Sequence, residues 1–410
     1  MDEIQFITGG VTAAKGFRAS GEHLGIRKNR SRRDVALIVS DVAASAACCY
    51  TQNLVKGAPI AVTKANVANG MAQAIICNSG NANTCNANGV EIAEGMCGLV
   101  EKYTGAAASD VIVASTGVIG QPMSLEPFTS GLEMLAAGLD YGAEKGTHAA
   151  EAIMTTDTIS KEVAVGFVID GKECKIGGIS KGSGMICPNM ATMLCFITSD
   201  VAISPAALQA ALSGVVGGTF NMLSVDGDTS TNDMVSVLAN GMAGNAVIED
   251  VNSAEFATFQ TALRMLCERL CEIMAKDGEG ATRLLTCSVV GAKTMETARL
   301  IAKSVVKSSL LKSAVFGADA NWGRVLCAIG YSGADIDINK VDVDFESRKG
   351  SIAMCRDGAG VPFSEEEAKG ILLEDEIFVL VTLHEGDVTA KAWGCDLTYD
   401  YVKINGDYRT

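Results

Sequence analysis

Apolar, β-branched stretches recur along the first half of the chain, at residues 34–40, 59–63, 72–77, 110–114 and 163–169. Their length and composition predict strands, and the intervening segments rich in Ala, Gly and Asn predict helices or turns. The first half therefore reads as α/β layering. Further on, Phe256, Phe259, Leu263, Leu266, Leu270 and Ile273 repeat at intervals of three and four, the apolar stripe of one long amphipathic helix that ends at Asp277-Gly278. A strand over 284–290 and a helix over about 295–306 follow. The chain closes mostly in strand, with 377–383 and 388–395 flanking a turn around Gly386. No repeat or low-complexity tract interrupts this pattern, which argues for compact domains.

At 410 residues and 48% apolar content, the chain buries a large core and has room for about two domains. Its first twenty residues carry Asp2 and Glu3 beside Lys15 and Arg18, without a basic stretch leading into an unbroken apolar run, which predicts neither secretion nor organelle import. No apolar run approaches the roughly 18 residues that cross a bilayer, so no membrane partner and a cytoplasmic location are expected. The net charge of −15 opposes attraction to phosphate backbones. The one dense basic run, 27–33, has no interleaved aromatic residues for base stacking and reads as a solvated face, so no nucleic-acid partner is expected. Fourteen cysteines are scattered from Cys48 to Cys395 without a C-x-x-C pair, which reads as reduced thiols. Cys267 and Cys271 share a helix face, but no further ligand is near in sequence, so they read as small buried side chains and no metal is expected.

The chemistry concentrates in the segment SKGSGMICPNMATMLCFITSD at 180–200, where a Gly/Ser/Pro/Asn run feeds directly into an apolar strand pattern at Thr192 or Met193. On pattern alone, a threonine opening a strand is an ordinary β-former. Were the peptide bond between Ala191 and Thr192 cut, however, Thr192 would own both a hydroxyl and a free α-amino group. An α-amino group titrates near ~7.7–8.0, so around neutrality much of it is neutral and can take the hydroxyl proton, whereas lysine near ~10.4 mostly cannot. No histidine is required. Of the three histidines, His23 and His148 show no nearby acidic partner in sequence, and His384 adjoins only Glu385. A rival nucleophile is Ser180, in a G-x-S-x-G at 178–182, but a nucleophile elbow needs a helix to follow, and GSGMICPN starts one poorly. No phosphate-loop or dinucleotide fingerprint is present, so no bound nucleotide cofactor is indicated.

The segment KGSGMICPNMATML resembles the cleavage region of the ornithine acetyltransferase family, which includes the bifunctional glutamate N-acetyltransferases of arginine biosynthesis. Seven further motifs match that family in order: GGVTAAKGF near the start, NSGNAN at 78–83, ASTGVIG at 114–120, AIMTTDT at 152–158, KDGEGATR at 276–283, GADANWGR at 317–324 and YVKINGDYRT at the terminus. Departures are small. Alanine stands at Ala13 or Ala14 and at Ala320 where the family commonly has proline, and Cys187 replaces a small apolar residue beside the cleavage turn.

The resemblance implies a fold and an activity. The fold is mixed α/β, an αββα-type sandwich with a second, smaller α/β domain, in a chain that cuts itself into residues 1–191 and 192–410, which stay together as α2β2. The activity is transfer of an acetyl group from N-acetylornithine to glutamate through an acetylated Thr192. The resemblance assigns Thr116 and Gly117 to the oxyanion hole, and Thr155, Lys181, Thr192, Glu279, Asn405 and Thr410 to substrate binding. Whether acetyl-CoA is a further co-substrate is left open by these motifs. A self-processing N-terminal-threonine amidase or aminopeptidase of similar fold is the alternative, distinguished by whether an amino-acid acceptor is needed.

Overall fold

The computed structural model describes residues 4–187 and 193–406. Ala191, Thr192 and Thr410 lie outside the described residues. The chain divides into two compact units, one of Met1–Gly182, Asn189–Gly217 and Thr229–Leu270, the other of Ser183–Pro188, Gly218–Asp228 and Cys271–Thr410.

The first unit opens with β1 (Gln5–Ile7), β2 (Phe17–Glu22), β3 (Val35–Tyr50), α1 (Ala58–Asn66), β4 (Met71–Asn81), α2 (Gly89–Thr104), β5 (Val111–Val118), α3 (Glu126–Ala137) and α4 (Ala143–Ile153). It continues with β6 (Lys161–Ile169), β7 (Lys172–Lys181), β8 (Leu194–Ser199) and α5 (Pro205–Val216). After β9 (Leu223–Ser224), which belongs to the second unit, come β10 (Met234–Ala239) and the long α6 (Ala254–Lys276). The strands form one nine-stranded sheet in the order β1-β6-β7-β8-β10-β3-β4-β5, with β2 beside β3.

The sheet is continuous because β3 serves both halves. Its first residues pair with β2 and β4, and Ser45–Tyr50 pair with β10 beyond a register shift between Val39 and Ala44. Alternation along each strand sorts the side chains. Ile38, Ile75 and Ile112 point into a core that also holds Ile179, Phe196 and Leu238 from the other half, together with Ala149, Ala150 and Ala152 of α4. Leu37, Ile76 and Val113, one position away on the same strands, pack instead against Met96 and Val100 of α2 and Phe128 and Leu132 of α3. On the far side α6 sets Phe259 edge-on to Phe167 of β6, with ring centroids 6.5 Å apart. The order of layers is helix, strand, strand, helix, as expected from the resemblance. Strands buried on both faces read as continuous apolar runs, which is what the sequence shows.

One expectation fails. Residues 59–63 form the body of α1, not a strand. Gly57 stands at the N-cap and Pro59 in the first turn, a helix-start signal that outweighs the short apolar run. Thr63 of that helix accepts the Val113 N–H at 2.9 Å and donates to the Val113 carbonyl at 2.8 Å.

The second unit contains β11 (Leu284–Ala292), α7 (Met295–Lys307), α8 (Ser309–Phe316), α9 (Trp322–Gly330), β12 (Asp342–Ser347), β13 (Gly350–Arg356), β14 (Ala359–Gly360), α10 (Glu365–Leu372), β15 (Glu376–Thr382), β16 (Val388–Cys395) and α11 (Tyr399–Gly406). Its sheet runs β14-β13-β12-β15-β11-β16-β9. The expected strands at the end of the chain are present, but the last element is the helix α11, which the strand-rich reading missed. Among the described residues no helix is long and apolar enough to cross a membrane.

Candidate active site

Thr116 and Gly117 lie near the end of β5, in parallel register with Ser79 and Gly80 of β4. Gly117 has φ of +128°, and a β-carbon there would sit 2.3 Å from the Gly80 carbonyl carbon, so only glycine permits this approach of the two strands. The surrounding polar chain is tied down by side chains. The Ser115 hydroxyl donates to Asn78 Oδ1 at 2.6 Å, and Asn232 Nδ2 donates to the Ala82 and Ser115 carbonyls at 2.5 and 2.9 Å.

Lys181 ends β7, and its buried Nζ donates to Thr116 Oγ1 at 3.4 Å. Asp157 is fully buried nearby. Its Oδ1 accepts from Lys161 Nζ at 2.6 Å and from the Gly182 N–H at 2.8 Å, and its Oδ2 accepts from the Thr155 N–H at 2.8 Å. Burial works to raise the Asp157 carboxyl, but the ammonium groups of Lys161 and Lys181 outweigh it and hold the carboxyl well below the usual carboxylate range. Asp233, just before β10, behaves oppositely. Burial drives its carboxyl well above the ordinary value despite the Lys181 charge, and its Oδ2 has no hydrogen-bond partner.

A second group forms in the other unit. Glu279 is buried, accepts from Asn405 Nδ2 at 2.6 Å, and donates its N–H to the Ser183 carbonyl at 3.0 Å. A β-carbon at Gly184 would come within 2.3 Å of the Glu279 carboxylate. Asp226 takes the Met185 and Ile186 N–H groups at 2.6 and 2.9 Å, and the Tyr401 hydroxyl donates to the same carboxylate at 3.3 Å. Cys187 lies against Lys303, whose ammonium is pulled down to about 8, mainly by burial. The sequence-assigned residues thus fall into two sets, Thr116, Gly117, Thr155 and Lys181 in the first unit and Glu279 and Asn405 in the second.

Other sequence readings need adjustment. His23 does have an acidic neighbour, with Nδ1 3.1 Å from buried Asp34, and His148 lies 3.5 Å from Glu144, one turn back on α4. His384 meets Asp342 at 2.8 Å. The basic run is only partly solvated. Arg27 and Arg32 donate to the Met154 and Thr155 carbonyls, and Arg33 pairs with Glu22 and Glu151. Ser180 lies within β7, so no strand-to-helix turn presents it as a nucleophile.

The ArgJ family matches residues 18–410. The arginine biosynthesis bifunctional protein ArgJ of Caldanaerobacter subterraneus subsp. tengcongensis is 48% identical over 408 residues, covering 99% of this chain and 100% of that protein. The chain belongs to the ArgJ family. The ArgJ protein of Symbiobacterium thermophilum is likewise 48% identical, over 409 residues, with 99% of this chain and 100% of that protein covered. A crystal structure of ornithine acetyltransferase from Mycobacterium tuberculosis, complexed with ornithine, is 32% identical with a TM-score of 0.42, covering 46% of this chain and 100% of that one. The resemblance read from the motifs is borne out, and this ArgJ chain is an enzyme of arginine biosynthesis. Sequence pattern alone singles out neither Asp157, Lys161, Asn232 and Asp233 nor Asp226. The one available signal was the position of Asp157 inside AIMTTDT, four residues before Lys161.

Proposed function

We propose that this chain cuts itself before Thr192 and then moves an acetyl group from N-acetylornithine to glutamate by a ping-pong route. In the first step the Thr192 hydroxyl oxygen adds to the Ala191 carbonyl carbon, the C–N bond breaks as the C–O bond forms, and the proton passes to the departing amine. Water then splits the ester and leaves a carboxylate on Ala191. In transfer, the freed α-amino group takes the hydroxyl proton while the oxygen attacks the acetyl carbonyl. The Thr116 hydroxyl and the Gly117 N–H stabilise the oxyanion, a contribution worth about 3–4 kcal/mol per donor. Lys181 receives the substrate carboxylate, Thr155 and Asn405 contribute polar contacts, and Glu279 pairs with the ornithine ammonium. Thr410 completes the binding set. Ornithine leaves, glutamate binds, and its amine takes the acetyl group.

The observation that carries this reading is the pairing of Leu194. It opens β8 between Lys181 of β7 and Met234 of β10, and Lys181 in turn holds Thr116. Thr192 is two residues upstream, and two residues span at most about 7 Å, so the sheet register supports bringing its hydroxyl to this cluster. The reaction needs no metal or bound cofactor, the fragments assemble as α2β2, and the enzyme works in the cytoplasm. Thr192→Ala tests the reading. The variant should stay a single full-length chain and make no N-acetylglutamate from N-acetylornithine, whereas wild type should yield a second fragment beginning with threonine by mass spectrometry. Splitting and activity in the variant would refute it.

A further inference from the structure

We infer that Asp157 is a positioning residue for substrate recognition, which fixes the spacing between Thr155 and Lys181 and so sets their grip on the α-carboxylate of ornithine and N-acetylornithine. The inference rests on the proposed assignment of those two residues to substrate binding. Thr155 stands in the segment that links α4 to β6, whereas Lys181 ends β7. The β6–β7 ladder has its first pair at Lys161 and Ser180, so Thr155 lies outside it. Asp157 bridges the gap. Its Oδ2 accepts the Thr155 N–H at 2.8 Å, and its Oδ1 accepts the N–H of Gly182, the residue after Lys181, also at 2.8 Å.

Lys161 Nζ donates to the same Oδ1 at 2.6 Å, so three donors converge on one fully buried side chain. An ionised carboxylate satisfies them together, because it has two acceptor oxygens and no proton to donate. Burial works to raise this carboxyl, but the Lys161 and Lys181 ammonium charges outweigh it and keep the group ionised. The segment is braced on its other side as well. Arg32 Nη1 donates to the Thr155 carbonyl at 2.8 Å, and the Ser79 hydroxyl donates to the Ala152 carbonyl at 2.6 Å. Both ends of the Thr155 backbone are thus held, and Lys181 is held at its tip by Thr116 Oγ1. Two groups that share one ligand carboxylate must keep a fixed separation, and affinity falls when either is displaced. Asp157 is buried and acts through Thr155 and Lys181, not by contact with the ligand.

Calorimetric titration of purified enzyme tests this with two probes, ornithine and putrescine, the same diamine without the carboxylate. Asparagine at 157 offers one oxygen and an NH2, so whichever way the amide turns it loses either the Thr155 or the Gly182 tie. Asp157→Asn should bind ornithine about tenfold more weakly, the scale of one bond to a charged group, and putrescine as wild type does. A purely structural role would reduce the number of competent sites and leave both dissociation constants in place. In a Lys181→Met background the same replacement should cost ornithine less than it does in wild type, because the two changes act on one grip. Unchanged ornithine affinity, equal losses for both probes, or an Asp157→Asn chain that binds normally but no longer cuts itself would overturn the inference. If Asp157→Asn does not fold, Asp157→Glu, which lengthens the arm, should show the same ornithine-selective loss, and wild-type affinity there overturns it. Lys181→Met binding ornithine as wild type does would instead fail the underlying assignment.

Discussion

Asp157 binds two backbone N–H groups and a buried ammonium at once, so its side chain sustains both local structure and local charge. Replacing it by asparagine removes the carboxylate that lies 2.6 Å from the ammonium of fully buried Lys161. Breaking a buried pair from one side costs about 3–5 kcal/mol, so Asp157→Asn should lower the guanidinium midpoint by a corresponding amount. The pH dependence has a definite sign. A carboxyl held low in the fold stabilises it above the unfolded value of about 3.9, and that stability is lost as pH falls through the folded value. The acid limb of the stability curve below about pH 4 should therefore be flatter in Asp157→Asn than in wild type. Asp233 has the reverse sign, because a raised carboxyl favours the fold at low pH and loses that advantage as pH rises.

At the scale of elements, close approaches decide which substitutions are tolerated. Gly177 in β7 meets the loop that carries the GGVTAAKGF motif, and a β-carbon there would lie 1.9 Å from the Gly10 carbonyl oxygen. Gly177→Ala must push that loop away, and overpacking of this kind costs about 1–3 kcal/mol, readable as a lower thermal midpoint. The same scale shows what was legible in sequence. Strands β3 to β6 could be read because burial on both faces leaves continuous apolar runs, and α6 because its stripe is long. Residues 59–63 were misread because a five-residue apolar run does not distinguish strand from helix, and the decisive proline lay at its edge. Thr116, Lys181 and Glu279 were visible through motif resemblance, whereas Asn232, Asp233 and Asp226 take their positions from pairings across long stretches of chain that no local spacing encodes. His148 was the exception in the other direction, since Glu144 stood one helical turn away in plain sequence.

At the scale of the molecule, the proposed cut falls between adjacent strands of one sheet. β7 would belong to residues 1–191 and β8 to residues 192–410, yet Lys181 pairs with Leu194, and β10 pairs on its other side with β3. The two fragments should consequently coelute as one species under native conditions and separate only in denaturant, which size-exclusion chromatography with and without guanidinium checks. The same interleaving bears on synthesis. Until β8 and β10 emerge, the nascent chain exposes the bare edges of β7 and β3, and open edges template pairing with other chains. At roughly 5–20 residues per second, the ribosome needs roughly 3–12 s to deliver the missing strands, a window in which this sheet is vulnerable to aggregation and its closure depends on translation keeping pace.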